Sequence, residues 1–400
     1  MKTAIVGGGA AGFFLAVCLK EMRPEMEVTI FERSHHVLAK VKVSGGGRCN
    51  CTNTFEGVND LSAVYPRGHR LMKRLMRQFS QRDAMAWFER HGVRLTVQED
   101  HCVFPQSQQS QTIIDCLLGS ARRLGVSIVT GRRISHLDEL QGFDFVAVTT
   151  GGQPKAEGLA WLQAAGHAIE QPVASLFSLS VADESLCELM GTVVDPVQVM
   201  IPGTRLRASG ALLVTHWGVS GPAILRLSSY AARELNEAGY EVPLSIDWLG
   251  TSEHEAQLLV GDLRSRYGQR QLANARPTEL PARLWHHLLA KSMGQQKAQL
   301  TWSELSKKDL NRLVNVLCND TYRTSGRPVF KDEFVTCGGI ALSGVNPTTL
   351  ESRHRPGLYF AGEVLDIDGV TGGFNLQAAW TTAYAVAKAI GSCRELGVKS

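Results

Sequence analysis

Apolar residues in this chain follow two rhythms. The first thirty-two residues set the stronger one. Lys2–Val6 (KTAIV) is a short apolar run of buried-strand type, followed by Gly7-Gly8-Gly9-Ala10-Ala11-Gly12. An apolar helix is predicted from Phe13 to Lys20, then a second strand, Glu27–Phe31, ending at Glu32. A loop, Ser34 to Lys42, comes next. Pro66 to Arg94 reads as one or two helices, with Leu71, Met72, Leu75, Met76 and Phe79 as an apolar stripe at helical spacing. An apolar helix, Thr112 to Leu124, stops at Gly125, and strands are predicted at Val126–Val129 and Phe143–Thr149. From about Leu176 the rhythm shortens to β-type runs at Leu176–Val181, Val193–Ile201 and Ala211–Thr215. A helix, Ile224 to Glu234, and a strand, Val242–Trp248, follow. Glu253 to Asn315 is helix-rich, and Asp320 to Phe334 leads back toward the first pattern. The chain closes with a strand in Gly357–Glu363 and an apolar helix, Ala378 to Ile390.

The opening order is that of a dinucleotide-binding unit: strand, glycine-rich turn, helix, strand, acid. Gly7 permits the tight turn, Gly9 lets backbone approach a pyrophosphate, and Gly12 lets the helix pack on the strand. With Ala10 and Ala11, these residues place free N–H groups and a partial positive charge at the phosphates. Glu32 stands about twenty residues past Gly12, where an acid meets a ribose diol. A second glycine cluster, Ser44-Gly45-Gly46-Gly47-Arg48-Cys49-Asn50, is a poor core element and a good ligand-hugging loop. Arg48 offers a charged fork, and Asn50 and Asn53 can fix polar edges.

Bulk numbers add limits. The 400 residues suggest two or three domains, and 44% hydrophobic with 20% charged residues is ordinary for a globular protein. No apolar run reaches membrane-span length, and the strand that follows Met1 leaves no room for a signal peptide. Nine cysteines at scattered positions fit a reducing cytoplasm better than a disulfide framework. Cys49 and Cys51 lack the spacing of a metal site, so no metal is expected. Net charge is only +4, but Arg67, Arg70, Lys73, Arg74, Arg77, Arg82, Arg90 and Arg94 face just Asp83 and Glu89 in the Pro66–Arg94 segment. Both a solvated helix face and a polyanion-binding patch fit that imbalance.

The segment SGGGRCN followed by Thr52-Asn53 resembles the signature of the BaiN/RdsA-like family of FAD-dependent oxidoreductases, a family of predicted flavoproteins. Further resemblances run along nearly the whole chain. Thr150-Gly151-Gly152, after a buried strand, is similar to the family turn that brings backbone to the cofactor, although the usual Gly/Thr-rich continuation is replaced by the shorter Gln153–Gly158. Thr215-His216-Trp217-Gly218-Val219-Ser220-Gly221-Pro222-Ala223 resembles the family's T-H-(aromatic)-G-x-S-G-P-A motif. Gly357–Glu363, ending in Gly362-Glu363, resembles the second FAD motif, with Glu363 or Asp366 expected at the ribityl hydroxyls. Thr371-Gly372-Gly373-Phe374-Asn375-Leu376-Gln377 opens a helix whose N-terminus, in the family, points at the flavin ring.

The resemblance implies an α/β fold: a discontinuous Rossmann-like FAD-binding domain with an inserted β-rich domain carrying a helical subdomain. The expected division is 1–175 and 335–400 for the FAD domain and 176–334 for the insert, with helices at about 253–315. FAD is the expected cofactor and NAD(P)H the expected reductant. Only one full dinucleotide fingerprint is present, so a nicotinamide would bind without its own glycine-rich site. Three activities are compatible: reduction of a carbon–carbon double bond in a uridine of ribosomal RNA, the same chemistry on a small enone or steroid-type molecule, and small-amine oxidation with O₂. Alkene reduction needs a proton donor. Cys49, Cys337 and His216 are the candidates, and each also reads as a structural residue.

Overall fold

The computed structural model describes residues 1–328 and 335–393. Contacts divide the chain into two compact units, Met1–Ala174 with Lys331–Ser400, and Ser175–Phe330.

In the first unit, strand β1 (Lys2–Val6) buries Ala4 and Ile5 completely. Such a strand, apolar on both faces, belongs in the middle of a parallel sheet. It pairs in parallel with β2 (Glu27–Phe31) on one side and with Phe145–Val148 on the other. The sheet is completed by Ser127–Val129 beside β2 and by Leu358–Phe360 beside Phe145–Val148. Strand order therefore reverses at β1, which opens a crevice at its C-terminal end, where ligands of doubly wound sheets bind.

Helix α1 (Ala10–Met22) is buried continuously from Ala11 to Leu19, because it lies against the sheet and against the C-terminal helix Phe374–Ser392. An aromatic cluster joins the two helices: Phe14 stands 5.2 Å from Trp380 and 4.6 Å from Trp87. Three short strands, Thr52–Asn53, Cys102–Pro105 and Leu95–Val97, form a small antiparallel sheet. Val335–Ile340 forms a two-stranded sheet with Ile169–Ser175.

The second unit is a closed six-stranded barrel in the order Val193–Met200, Arg207–Thr215, Gly218–Ser220, Leu179–Val181, Asp320–Gly326 and Pro243–Asp247. Inward alternation buries Val197 and Val199, Leu212 and Val214, and Leu244 and Ile246. Between the last two strands in sequence lie three helices, Glu253–Tyr267, Ala282–Met293 and Lys307–Cys318. Trp285 and Trp302 stack at 6.2 Å among them. Lys291 Nζ reaches the buried Asp320 Oδ1 at 2.5 Å, and Trp248 and Tyr322 donate to Asp320 Oδ2, so helix and barrel share one polar core.

The fold is the expected α/β one, a Rossmann-like sheet with an inserted β-barrel and helices. Several local expectations need correction. The first helix starts at Ala10 rather than Phe13. The Ser34–Lys42 loop runs into a helical turn, Ala39–Val43, entered through Leu38 in the left-handed region. The basic segment, expected as one or two helices, is not among these: it forms two, His69–Leu75 and Gln81–Arg90, the second held by a Ser80–Asp83 capping box. Ile169–Ser175 is an unforeseen strand. Asp320–Gly326 closes the barrel rather than serving only as a connection. The end of the expected connection, 329–334, and the last residues, 394–400, lie outside the described residues.

Candidate functional site

The glycine-rich turn combines closed and open faces. Gly7 has φ +118°, and a Cβ there would sit 2.4 Å from the Thr149 carbonyl oxygen. A Cβ on Gly12 would sit 2.0 Å from the Gly7 oxygen, so α1 packs on β1 at glycine distance. Gly9 differs: a Cβ there meets nothing within 4 Å. It is the N-cap of α1 and provides no side-chain cap, so the first-turn N–H groups, at Ala10 and Ala11, keep their capacity to donate. Glu32 closes the other side. Its Oε2 accepts from Gly8 N and its Oε1 from Ser34 N, both at 2.8 Å. That fixes the carboxylate and leaves its remaining lone pairs for a diol.

The second glycine loop winds through a left-handed stretch. Gly45, Gly46 and Gly47 all have positive φ, a path that side chains would resist. Ser44 Oγ anchors its start on the Val41 oxygen at 2.8 Å. A Cβ on Gly45 would meet Asn50 N at 2.8 Å, while Gly46 and Gly47 face open space. Arg48 lies over the Phe104 ring at 4.4 Å. With the Asn50 amide oriented to satisfy both ends, its nitrogen donates to Thr52 O at 2.9 Å and its oxygen accepts from Gly373 N at 3.1 Å. Asn53 Nδ2 donates to Gly372 O at 3.0 Å, and Thr52 Oγ1 donates to Gln377 Oε1 at 2.6 Å. This loop is thus bolted to the start of the C-terminal helix.

That helix begins at Phe374, after Gly373 in the left-handed region, again with no side-chain cap. The N–H groups of Phe374, Asn375 and Leu376 belong to its first turn, where no intrahelical acceptor exists. Asn375 does not point its amide away from the protein, because it is clamped to Gly369 by two bonds of 2.8 Å. Gly362 N donates to Thr382 Oγ1 at 2.8 Å, and a Cβ on Gly362 would press on Ala11 at 2.9 Å. The two helix starts therefore belong to one assembly. Thr150 Oγ1 is buried without a hydrogen-bond partner, and a Cβ on Gly151 would lie 3.8 Å from Glu363 Oε2. Glu363 is engaged by Lys40 Nζ and by Thr336 N, each at 2.9 Å. Asp366 donates its backbone N–H to Ile340 O at 3.0 Å.

The three proton-donor candidates have different surroundings. Cys49 is completely buried at φ +63°, and burial pushes its thiol up to about 12 despite its side-chain interaction with Ser44. Cys337 is also completely buried, in Val335–Ile340. It lies within electrostatic reach of Arg67. Burial alone would lower the Arg67 pKa, but the hydrogen bond and charge of Asp368, then Cys337 and Asp366, raise it above the usual value. Arg67 forms a two-pronged ion pair with the completely buried Asp368. Tyr65 donates to Phe374 O at 2.9 Å beside it. His216 belongs to the other unit. It is exposed, in the two-residue turn between Arg207–Thr215 and Gly218–Ser220, its ring edge-on to Trp217 at 4.2 Å. None of the nine cysteines forms a disulfide.

Sequence reasoning missed Lys40, Thr52, Thr149, Asp368 and Gln377. Lys40 and Asp368 pair with distant charges, Thr149 bonds distant backbone, and Thr52 and Gln377 bond each other, so local motifs do not expose them. Arg67, read as one of the basic-face residues, is instead an internal strut.

The HI0933-like protein Rossmann domain profile matches residues 1–389. The chain belongs to this family. Among curated members, it is 27% identical to a 3-dehydro-bile acid delta(4,6)-reductase of Clostridium scindens, covering 97% of this chain and 98% of that protein. It is also 27% identical to the ribosomal RNA dihydrouridine synthase of Escherichia coli K12, with 96% of each chain covered, and 25% identical to the protein of that name from Haemophilus influenzae, with 97% of this chain and 98% of that one covered. The protein is an FAD-dependent oxidoreductase. The residues described above fit that cofactor. The open face of Gly9, the two uncapped helix starts and the orphaned Thr150 hydroxyl all call for a polar, phosphate-bearing group, while the closed faces of Gly7 and Gly12 shape the turn that receives it. Among the described residues no helix is long and apolar enough to cross a membrane, and no cluster of three acids, histidines or cysteines could hold a metal ion.

Proposed function

We propose that this flavoprotein reduces a carbon–carbon double bond conjugated to a carbonyl, using NADH or NADPH as electron source, and that its acceptor is a uracil base of ribosomal RNA. The observation that carries the reading is the pair of uncapped helix starts, at Ala10 and Phe374, tied together by Gly362 against Ala11. One offers donors for a pyrophosphate; the other offers a partial positive charge for the electron-rich edge of a reduced ring. Glu32 is the ribose acceptor, held ready by Gly8 and Ser34. Gly45, Gly46, Gly47, Arg48 and Asn50 line the ring side, with Thr150, Gly151, Glu363 and Asp366 toward the ribityl chain.

FAD, when bound, supplies hydride exchange between the nicotinamide and one alkene carbon. The other carbon needs a proton. Cys49 keeps its proton on Sγ at neutral pH, because burial raises the thiol, and Cys337 and the exposed His216 are the other candidate donors. A uracil ring and a steroid enone share the conjugated alkene that this balance requires, which is why both kinds of relative can use one scaffold. A small enone is the second reading, favoured by the identity to the bile acid reductase.

Anaerobic reduction of the holoenzyme by NADH or NADPH, followed by reoxidation with uridine-containing RNA, a steroid enone or O₂, tests the proposal. RNA from cells with and without the gene should differ by one dihydrouridine. Reoxidation by O₂ alone, with unchanged RNA, would replace the proposal by the amine-oxidase reading. If Cys49→Ala, Cys337→Ala and His216→Ala all reoxidise at the parental rate with saturating acceptor, none of the three donates the proton.

A further inference from the structure

Arg70, Lys73, Arg74 and Arg77 recur at i, i+3, i+4 and i+7, so they share one face of a helical segment. The opposite face is Leu71, Met72 and Leu75, all buried. The four cations line a cleft of about 780 Å³, and Lys388 of the C-terminal helix lines it with them. All five are exposed. Thr348 stands at the rim, fixed where Gln78 Nε2 donates to its carbonyl oxygen at 3.0 Å.

No acidic side chain lines this cleft, and none of the five cations is ion-paired among the described residues. Like charges at i and i+4, here Arg70 with Arg74 and Lys73 with Arg77, destabilise a helix. Among the described residues Asp60 feels the charge of Lys73, but no acid forms an ion pair with the cluster, so most of its charge complement lies elsewhere. The cleft also has no aromatic lining, so base stacking is not its chemistry; phosphate binding is. Five cations spread over two helical turns and a second helix exceed what one small nucleotide can neutralise, and suit successive phosphates of a strand.

We propose that this cleft binds the phosphate backbone of single-stranded RNA flanking the base that is reduced: Lys388 lies fourteen residues, about 21 Å along the helix, from Phe374, a span of a few nucleotides. The proposal rests on the reading above of an RNA base as acceptor. It also assigns a job to Lys388, which the sequence pattern alone leaves as an ordinary helix residue.

The test is fluorescence anisotropy of a labelled, mixed-sequence single-stranded RNA with the FAD-loaded protein across a salt series. Arg70→Gln/Arg74→Gln is compared with Arg205→Gln/Arg207→Gln, which removes the same charge from the other unit. Circular dichroism and FAD content report that each variant keeps its fold. The expected result is that the log–log salt slope of the cleft variant falls by about 1.4, about 0.7 for each lost phosphate contact, while the control keeps the parental slope. A parental slope in the cleft variant overturns the inference. So does an equal loss in the control, which would reduce the effect to net charge, or a cleft variant that loses NADPH affinity rather than RNA affinity. If the parent reduces uridine in RNA and the cleft variant still binds RNA as tightly, the acceptor reading stands and the cleft assignment fails. If the parent neither binds nor reduces RNA, the acceptor reading fails and takes the cleft assignment with it.

Discussion

Gly9→Val separates cofactor binding from folding, because the two demands on the glycine turn fall on different residues. Gly9 has φ −93° and ψ −166°, an extended conformation open to a β-branched residue, and its Cβ position is clear of protein atoms to 4 Å. Because Gly9 is also the N-cap of α1, the substitution should cost the apoprotein about 1 kcal/mol, well short of a core defect. The valine side chain instead fills the space from which α1 offers its N–H groups, so the pyrophosphate is shut out. In the parent, FAD at about one hundred times its Kd adds about 2.7 kcal/mol of stability by mass action; in the variant that increment vanishes. The assay is thermal unfolding with and without added FAD, beside flavin absorbance per protein after desalting. The apo variant should melt no more than about 4 °C below the apo parent, and only the parent should shift upward with FAD. Gly12→Ala is the contrast: its Cβ would lie 2.0 Å from the Gly7 oxygen, so it should fail as a fold before any cofactor is added. A Gly9→Val protein that keeps its full complement of FAD refutes the reasoning, and so does one whose apo form melts far below the apo parent.

Three further outcomes follow from the first unit. Arg67→Ala removes the guanidinium paired with the completely buried Asp368 and should cost about 3 kcal/mol in urea unfolding, whereas Arg67→Met/Asp368→Leu should recover most of that; equal losses in both would point to packing instead of charge. Burial raises the thiols of Cys18 and Cys51 well above the usual value and Cys49 to about 12, so the folded chain keeps protons that the unfolded chain releases above pH 9. Stability is then whole below about pH 9 and falls as pH rises toward 12, and a urea midpoint unchanged between about pH 8 and 10 would contradict this. His167 goes the other way: burial, then the charge of His354, pulls it down to about 4, so its contribution is present above the unfolded value and lost as pH falls from about 6.5 toward 4. Imidazole titration by NMR should find His167 neutral at about pH 5, and a normal titration there would show that the buried site admits water.

What the sequence disclosed depended on whether the determining contacts were local. Lys2–Val6 was readable because every residue after Lys2 is buried, and Glu27–Phe31 because its burial alternates, with Val28 and Ile30 inside. The Gly7–Gly12 turn was readable too, because each glycine answers to a steric demand within the same strand–helix unit. The helical turn Ala39–Val43 was not. It has no capping side chain, and is held from outside by Leu38 N on the Gly8 oxygen and by Ser110 Oγ on the Lys42 oxygen. Ile169–Ser175 contains Pro172 and lacks a clean alternation, and its partner strand, Val335–Ile340, lies beyond the whole inserted unit. Barrel closure hides for the same reason: Leu179–Val181 pairs with Gly218–Ser220 and with Asp320–Gly326, and no local pattern announces the second partner.

Asn375 shows where motif reading runs out. Its position at a helix start suggested a polar group facing the cofactor, yet its amide spends both ends on Gly369. Its effect on the site comes through the loop 366–373, which Arg67 holds from the other side through Asp368. Asn50 and Asn53 reach the same loop end from the second glycine cluster, through Gly373 and Gly372. Three segments distant in sequence thus converge on the backbone that precedes one uncapped helix. Removing any one of these side chains should loosen that helix start rather than delete a contact to the ring. Such residues act by position, which is how a polar side chain at a glycine-rich helix start can be spent on the protein's own backbone rather than held out toward a ligand.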